Sequence, residues 1–201
     1  MTEGFDDAFR DDLDATLDQA WLRLARGAAD RRSGMHTITV ATMGPDGPQA
    51  RTVVLRGADR AARTIRFHTD ARAPKIAELT AEPRVSAVAY DPRAKIQIRL
   101  NGHAAVHGGG AAADAAWAGS APGSRLCYRA PLPPGTPLRT PGEADPTDAL
   151  RAADSETGRP NFRAVLVTVA RIDWLYLAAS GHRRAGFAWD GAAWRGRWLA
   201  P

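Results

Sequence analysis

The sequence predicts a mainly β protein of the α+β class: a split antiparallel β-barrel of about six to eight strands with flanking helices. Short runs of β-branched and alternating residues recur along the chain, with turn-forming residues between them. Gly44-Pro-Asp-Gly-Pro48 and Asp190-Gly191 are the clearest of these turns. In a chain of 201 residues, closing the sheet is the economical way to remove its edges. No internal repeat is visible, so residues 1–201 are predicted to form one domain.

The first half of the chain predicts a covering helix, a series of strands and a second, short helix. Apolar residues three and four positions apart predict an amphipathic helix over residues 6–28, with Gly27 as its stop. Asn101-Gly102 predicts a bend or bulge inside a long strand. The predicted strands span residues 35–43, 49–56, 63–69, 84–90 and 94–106, and the short helix spans 73–80.

The second half predicts helices first and strands last. Helices are expected over residues 111–119 and 123–129, and one or two helical turns over 145–153. Residues 130–160 are rich in proline and have no clear period, which is typical of a segment that is functional or mobile. The predicted closing strands span residues 162–178, 183–189 and 192–199.

Composition excludes several classes of function. The apolar fraction is 44% and the charged fraction is 24%, as in ordinary soluble domains. No apolar run approaches the roughly 20 residues that span a bilayer, and the aspartate-rich start does not resemble a secretory signal. Cys127 is the single cysteine, so a reducing cytoplasm is expected, and no Cys/His cluster has metal-ligand spacing. The net charge is +5, but the arginines are scattered, and nucleic-acid binding is the weakest alternative.

Two neighbouring stretches predict a binding site for a phosphate. Residues 51–56 form a strand with an arginine at each end, and residues 67–75 carry Thr69 and Lys75 into the start of a short helix. Cations, a hydroxyl group and a helix N-terminus are the groups that hold a phosphate. We therefore predict an anion-binding site between neighbouring strands, which binds the phosphate of a flavin nucleotide. Arg51 and Arg56 would occupy opposite faces of a flat strand, so both serve one ligand only if the strand bends strongly or one of them acts through its backbone.

The order of several motifs points to a known family. They are Arg51-x-Val53-x-Leu55-Arg56, Phe67-His-Thr69, Lys75, Glu82-Pro83-Arg84-Val85, Gln97 five residues before Gly102, and Arg-Trp-Leu-Ala-Pro at 197–201. Over nearly the full chain this resembles the pyridoxamine 5′-phosphate oxidase family, the FMN-binding split β-barrels. The resemblance implies a homodimer with FMN at the subunit interface. It also implies an FMN-dependent oxidoreductase that acts on a small-molecule substrate or a reduced nicotinamide.

The resemblance further implies which residues bind the cofactor. Arg51, Thr69 and Lys75 would hold the phosphate end, and Gln97 would reach the flavin from the partner subunit. Pro74 stands where the family has a second basic residue. The family's flavin-contacting tryptophan aligns with Trp174, Leu175 or Tyr176. The implied cofactor-binding set is Arg51, Thr52, Val53, Val54, Arg56, His68, Thr69, Lys75, Gln97, Trp174 and Arg184.

The region that should recognise the substrate departs from the family pattern. The oxidase uses an Arg-x-His motif near the C-terminus, whereas residues 181–187 here read Gly-His-Arg-Arg-Ala-Gly-Phe. We therefore expect an altered substrate site. No side chain is assigned as the catalyst, because a flavin carries the redox chemistry itself. The alternative is a non-catalytic module of the same fold that holds FMN or another cofactor.

Overall fold

The computed structural model describes residues 7–201, and its eight strands form one antiparallel sheet. The strand order is β3-β2-β1-β4-β5-β6-β7-β8, and pairing of β3 with β6 closes the first six strands into a barrel. The strands are β1 (Thr37–Gly44), β2 (Gly47–Asp59), β3 (Thr64–Asp70), β4 (Arg84–Asp91), β5 (Ile96–His107), β6 (Phe162–Tyr176), β7 (Arg183–Trp189) and β8 (Trp194–Leu199). The predicted fold class is confirmed: a closed barrel with two further strands and flanking helices.

Helices cover the barrel from outside and at one end. The α-helices are α1 (Leu13–Ala29), α2 (Pro74–Ala81), α3 (Gly110–Ala118), α4 (Pro122–Arg125) and α5 (Asp148–Ala152). Short 3₁₀ turns occupy Asp7–Asp11, Leu126–Arg129, Pro141–Ala144 and Ser155–Asn161. Within residues 7–201, no helix combines the length and the apolar character needed to cross a membrane. The prediction of one domain over residues 1–201 stays a prediction.

The N-terminal helix begins later and ends later than predicted. Residue 6 of the predicted helix lies outside the described residues. Asp12 caps α1, because its carboxylate accepts a hydrogen bond of 2.8 Å from the Ala15 backbone N–H. Gly27 does not end the helix, and that prediction was wrong. A Cβ at Gly27 would lie 2.6 Å from the Met35 carbonyl oxygen, so this glycine permits close packing of α1 against the chain before β1.

The barrel interior is a continuous apolar core. Its side chains come from alternate positions of the strands, as a half-buried sheet requires, and from the buried face of α1. A second, smaller apolar cluster lies on the outer surface over β3 and β6, where α3 and the following turn cover the sheet. That cluster contains Ala116, Trp117, Tyr128, Phe162 and Ala164.

A bulge in β6 confirms the irregularity predicted at Asn101-Gly102. Asn101 pairs with Arg171 but Gly102 pairs with Val169, so Ala170 is an extra residue in β6. A Cβ at Gly102 would lie only 2.1 Å from a β6 carbonyl oxygen, which explains why a glycine stands there. The extra residue reverses which alternate positions of β6 face the core.

The proline-rich segment 130–160 is tied to the barrel by arginines. Arg72 donates a hydrogen bond of 3.0 Å to the Ala130 carbonyl oxygen, and Arg159 donates one of 2.8 Å to the Gly108 carbonyl oxygen. The helical turns predicted over 145–153 are present as α5. The segment therefore lies beside the N-terminus of α2, close to the residues predicted to bind phosphate.

Candidate functional site

A cluster of polar side chains lies where α2 covers one end of the barrel. Thr42 on β1 and Arg51 on β2 point inward, as do Thr69 on β3 and Lys75 and Glu78 on α2. The Lys75 ammonium group donates a hydrogen bond of 3.1 Å to the Thr69 hydroxyl oxygen. Arg51 Nη2 donates to Glu78 Oε2 at 2.7 Å. The structure thus brings together Arg51, Thr69 and Lys75, as the sequence predicts.

The N-terminus of α2 faces this cluster without a side-chain cap. Pro74 is the first helical residue, where its missing N–H costs no helical hydrogen bond. Ala73 precedes it in an extended conformation and has no side chain that accepts from the first turn. The helix dipole therefore favours an anion at this end of α2.

Burial strengthens the electrostatics of the cluster. Burial lowers the pKa of Lys75, and the nearby charge of Arg51 lowers it further, while the carboxylates of Glu78 and Asp70 raise it. Burial by itself raises the pKa of Glu78. Hydrogen bonds from Thr42 and Arg51, with the charges of Arg51 and Lys75, outweigh burial and leave that pKa below its usual range. The cluster thus holds two cations and one carboxylate in a half-buried setting.

A second basic group lies on the outer face of the β2–β3 hairpin. Arg66 Nη2 donates a hydrogen bond of 3.0 Å to the Arg56 carbonyl oxygen. The His68 ring meets the Phe162 ring edge-on, with 4.8 Å between centroids. Burial, followed by the charges of Arg66 and Arg56, lowers the pKa of His68 to about 4. His68 is therefore a neutral imidazole at physiological pH.

This outer group has polar atoms without partners. His68 Nε2 and Arg66 Nε are buried, and neither meets a hydrogen-bond partner within residues 7–201. Among the same residues, no carboxylate forms an ion pair with Arg56. Buried polar nitrogens without partners are costly, and in native proteins they are expected to be satisfied by a water or a ligand. The outer group therefore has the composition of a second site for an anionic or hydrogen-bonding ligand.

The two predicted arginines do not meet in one site. Strand β2 has a register shift between Leu55 and Gly57, yet Arg51 stays on the inner face and Arg56 on the outer face. The register shift does not bring the two side chains together. Thr52 and Val54 also face outward, whereas Val53 packs against the barrel core.

Of the remaining predicted residues, Gln97 and Arg184 lie on the outer face of neighbouring strands, whereas Trp174 does not. Gln97 pairs with Leu175, and Leu175 pairs with Arg184, so these three side chains share one row. The Arg184 guanidinium binds Asp173 in a bidentate pair, at 3.2 and 2.8 Å. Trp174 points the other way and is 0% exposed. Of the three alternatives for a flavin-contacting position, Leu175 is therefore the one that shares a surface with Gln97 and Arg184.

The sequence reasoning missed Thr42 and Glu78. Helix spacing and strand alternation in the sequence could have identified both residues. Glu78 follows Lys75 by three residues, so the two side chains share one face of α2. Thr42 alternates with Val40 and therefore faces the barrel interior.

Known proteins share part of this sequence and the fold of the chain. Residues 18–108 match the family model described as the FMN-binding domain of pyridoxamine 5′-phosphate oxidase. A pyridoxamine 5′-phosphate oxidase-related, FMN-binding protein from Nostoc punctiforme PCC 73102 superposes with a TM-score of 0.76 at 22% identity, over 91% of this chain and 96% of that chain. PhzG from Burkholderia lata 383, solved in complex with tetrahydrophenazine-1-carboxylic acid, superposes with a TM-score of 0.71 at 23% identity, over 96% of each chain. No curated protein sequence matches the chain.

At these identities, the two solved structures show a shared fold, whereas the family match rests on sequence. The structural agreement covers 91% and 96% of this chain, so it extends well beyond the matched residues 18–108. The resemblance to the pyridoxamine 5′-phosphate oxidase-related, FMN-binding split-barrel family is therefore confirmed, by sequence over residues 18–108 and by fold over nearly the whole chain.

Proposed function

We propose that the chain binds FMN and holds the FMN phosphate with Arg51, Thr69 and Lys75. The observation that carries this proposal is the convergence of two cations and a hydroxyl on the uncapped N-terminus of α2. Lys75 has no carboxylate within ion-pair distance among residues 7–201, so its charge is available to a ligand. The donor set fits a phosphate dianion, because cations, a hydroxyl group and the positive end of a helix dipole all favour it.

We propose further that the protein is an oxidoreductase with an altered substrate site. Bound FMN would supply hydride and electron transfer, and the chain would bind and orient the flavin and its substrate. The outer group of Arg56, Arg66 and His68 favours a substrate with an anionic part. Two cations and a neutral imidazole there meet no carboxylate within the described residues. A small molecule that carries a carboxylate or a phosphate is the class that this chemistry recognises.

The same proposal includes a homodimer in a reducing compartment such as the cytoplasm. The outer face of the sheet exposes large apolar side chains, with Met43 50% and Tyr90 43% exposed, and a second copy would cover them. Gln97 and Arg184 lie on this outer face and would then approach the partner's flavin. Light scattering coupled to gel filtration measures the mass, and a monomer at micromolar concentration would contradict the dimer.

An absorption spectrum of the purified protein tests the cofactor. We expect flavin bands, and we expect heat to release FMN. Arg51→Ala and Lys75→Met should each weaken FMN binding by about 1.5–3 kcal/mol, which is roughly 10- to 150-fold. Binding of riboflavin, which lacks the phosphate, should change little. Arg93→Ala is the control, because Arg93 is exposed in the turn between β4 and β5. Equal loss of FMN and riboflavin affinity would remove these residues from a phosphate site.

Turnover needs its own measurement. We expect a reduced nicotinamide to bleach the bound flavin, and an acidic substrate to reoxidise or reduce it faster than solution controls do. Bound FMN that neither a reduced nicotinamide nor any small acid reduces or reoxidises would contradict the oxidoreductase and leave only cofactor binding.

A further inference from the structure

Glu78 is a buried carboxylate at a site that should attract anions. Its side chain is 8% exposed, against 23% for Arg51. Arg51 Nη2 donates to Glu78 Oε2 at 2.7 Å, and Thr42 donates to the same oxygen while accepting from Arg51 Nη1. Three residues from β1, β2 and α2 thus form a closed hydrogen-bonded triangle.

This triangle changes the charge that a ligand meets. Arg51 and Lys75 contribute two positive charges, and the Glu78 carboxylate neutralises one of them. Without Glu78, two cations would stand side by side in a half-buried place, which is unfavourable when no anion is bound. With Glu78, the flavin-free protein has an anionic partner for Arg51 inside its own chain.

We propose that Glu78 is the resident counter-anion of the phosphate site, which stabilises the flavin-free protein and weakens the binding of FMN through its phosphate. This inference rests on the proposed function. A phosphate that approaches Arg51 must share the guanidinium with the Glu78 carboxylate, and the two anions repel each other over a few ångströms of poorly solvated space. Glu78 also holds the Arg51 side chain in one orientation. It is therefore a positioning residue that sets the affinity, and FMN remains exchangeable.

Glu78→Gln separates charge from shape. Glutamine has the same size, and its carbonyl oxygen still accepts a hydrogen bond from Arg51 or Thr42. We expect FMN to bind at least about tenfold more tightly to this variant, while riboflavin affinity stays within about twofold of the wild type. We also expect the flavin-free variant to melt at a lower temperature than the wild type and to gain more from added FMN. Fluorescence titration and thermal melting measure these effects.

The matched control removes the same charge from the other end of the helix. Glu82 follows α2 and pairs with the exposed Arg84 at 2.5 Å. It lies about 10 Å along the helix axis from Lys75. Glu82→Gln should leave the preference for FMN over riboflavin unchanged. An equal gain in both variants would show a general charge effect and overturn the role of Glu78.

A rescue experiment keeps the inference testable if Glu78→Gln does not fold. Arg51→Gln leaves Glu78 without its cation beside the phosphate, and we expect FMN affinity to fall by about 100-fold. Adding Glu78→Gln to Arg51→Gln should recover about tenfold, because the repelling carboxylate is gone. Unchanged or weaker FMN binding in Glu78→Gln, or no recovery in the double variant, would overturn the proposal.

Failure of the proposed function gives a different result. In that case wild-type protein would not distinguish FMN from riboflavin, and no variant at Arg51 or Lys75 would change either affinity. The inference about Glu78 would then fall together with the phosphate site. A wild type that prefers FMN, combined with an unresponsive Glu78→Gln variant, would overturn the inference alone.

Discussion

His68 makes the stability of this protein depend on pH in a way that one substitution can isolate. The imidazole packs against Phe162 and lies near Arg56 and Arg66, so its protonated form is disfavoured in the folded chain. Its pKa falls from 6.5 to about 4 on folding. Between these values the unfolded chain binds a proton that the folded chain does not. The free energy of unfolding therefore decreases as the pH falls from 6.5 towards 4.

The size of the effect follows from the two pKa values. At pH 5, a histidine with a pKa of 6.5 when unfolded and about 4 when folded costs the folded state about 2 kcal/mol relative to pH 7 and above. The ring is only partly buried, and solvent screening reduces that figure to about 1 kcal/mol. Carboxylates with lowered pKa values, such as Glu78 and Glu82, also stabilise the folded protein, and that contribution is lost at still lower pH. Their contribution is the same in proteins that differ only at residue 68.

Urea unfolding of flavin-free protein at pH 7 and pH 5 measures the effect. His68→Phe keeps a ring against Phe162 and removes the titrating group. We expect the wild type to lose about 1 kcal/mol more than His68→Phe between the two pH values. His103→Gln, at an exposed position of β5, should behave as the wild type does. An equal loss in wild type and His68→Phe would refute the reasoning, because it would show that folding does not disfavour the protonated His68 ring.

Two further predictions concern how the barrel and its long segment are held. Gly102→Ala places a Cβ 2.1 Å from a β6 carbonyl oxygen and should cost about 2–4 kcal/mol in urea unfolding. At Gly109, the N-cap of α3, an added Cβ meets no atom within 4 Å, so Gly109→Ala should cost no more than about 1 kcal/mol. Arg72→Ala leaves the Asp70 carboxylate, 7% exposed, without its cation. It should cost about 2–3 kcal/mol and speed proteolytic cleavage within 130–160, and unchanged cleavage would show that other contacts hold the segment.

Local sequence signals were sufficient for most of the fold. Strand positions followed from alternation and turn residues, because each strand of the barrel has one face in the core. The end of α2 followed from Pro83, because the residue before a proline avoids the helical region. Gly27 was misjudged, since a glycine that ends a helix and one that admits a close neighbour have the same local sequence. The difference lies in Met35, which no local pattern places beside it.

The candidate site could be predicted only in part. Arg51, Thr69 and Lys75 were identified together because strand spacing and a helix start bring such residues close. Arg56 and His68 were assigned to the same site, but they lie on the other side of the β2–β3 hairpin. The odd spacing of Arg51 and Arg56 already indicated this separation, and the register shift after Leu55 does not undo it. Glu78 required knowledge of which helix face meets the barrel, which depends on tertiary packing.

One extra residue in β6 decides which side chains reach the outer face near the C-terminus. Before Ala170, the inward positions of β6 include Val167 and Val169, and simple alternation would continue with residues 171, 173 and 175. The bulge reverses this, so that Trp174 enters the core. Leu175 therefore joins Gln97 and Arg184 on the outer face. Alignment by residue type cannot give this result, because such an alignment matches the family's tryptophan to Trp174. The glycine that permits the bulge, Gly102, lies on the neighbouring strand and thus sets the composition of a surface to which it contributes no side chain.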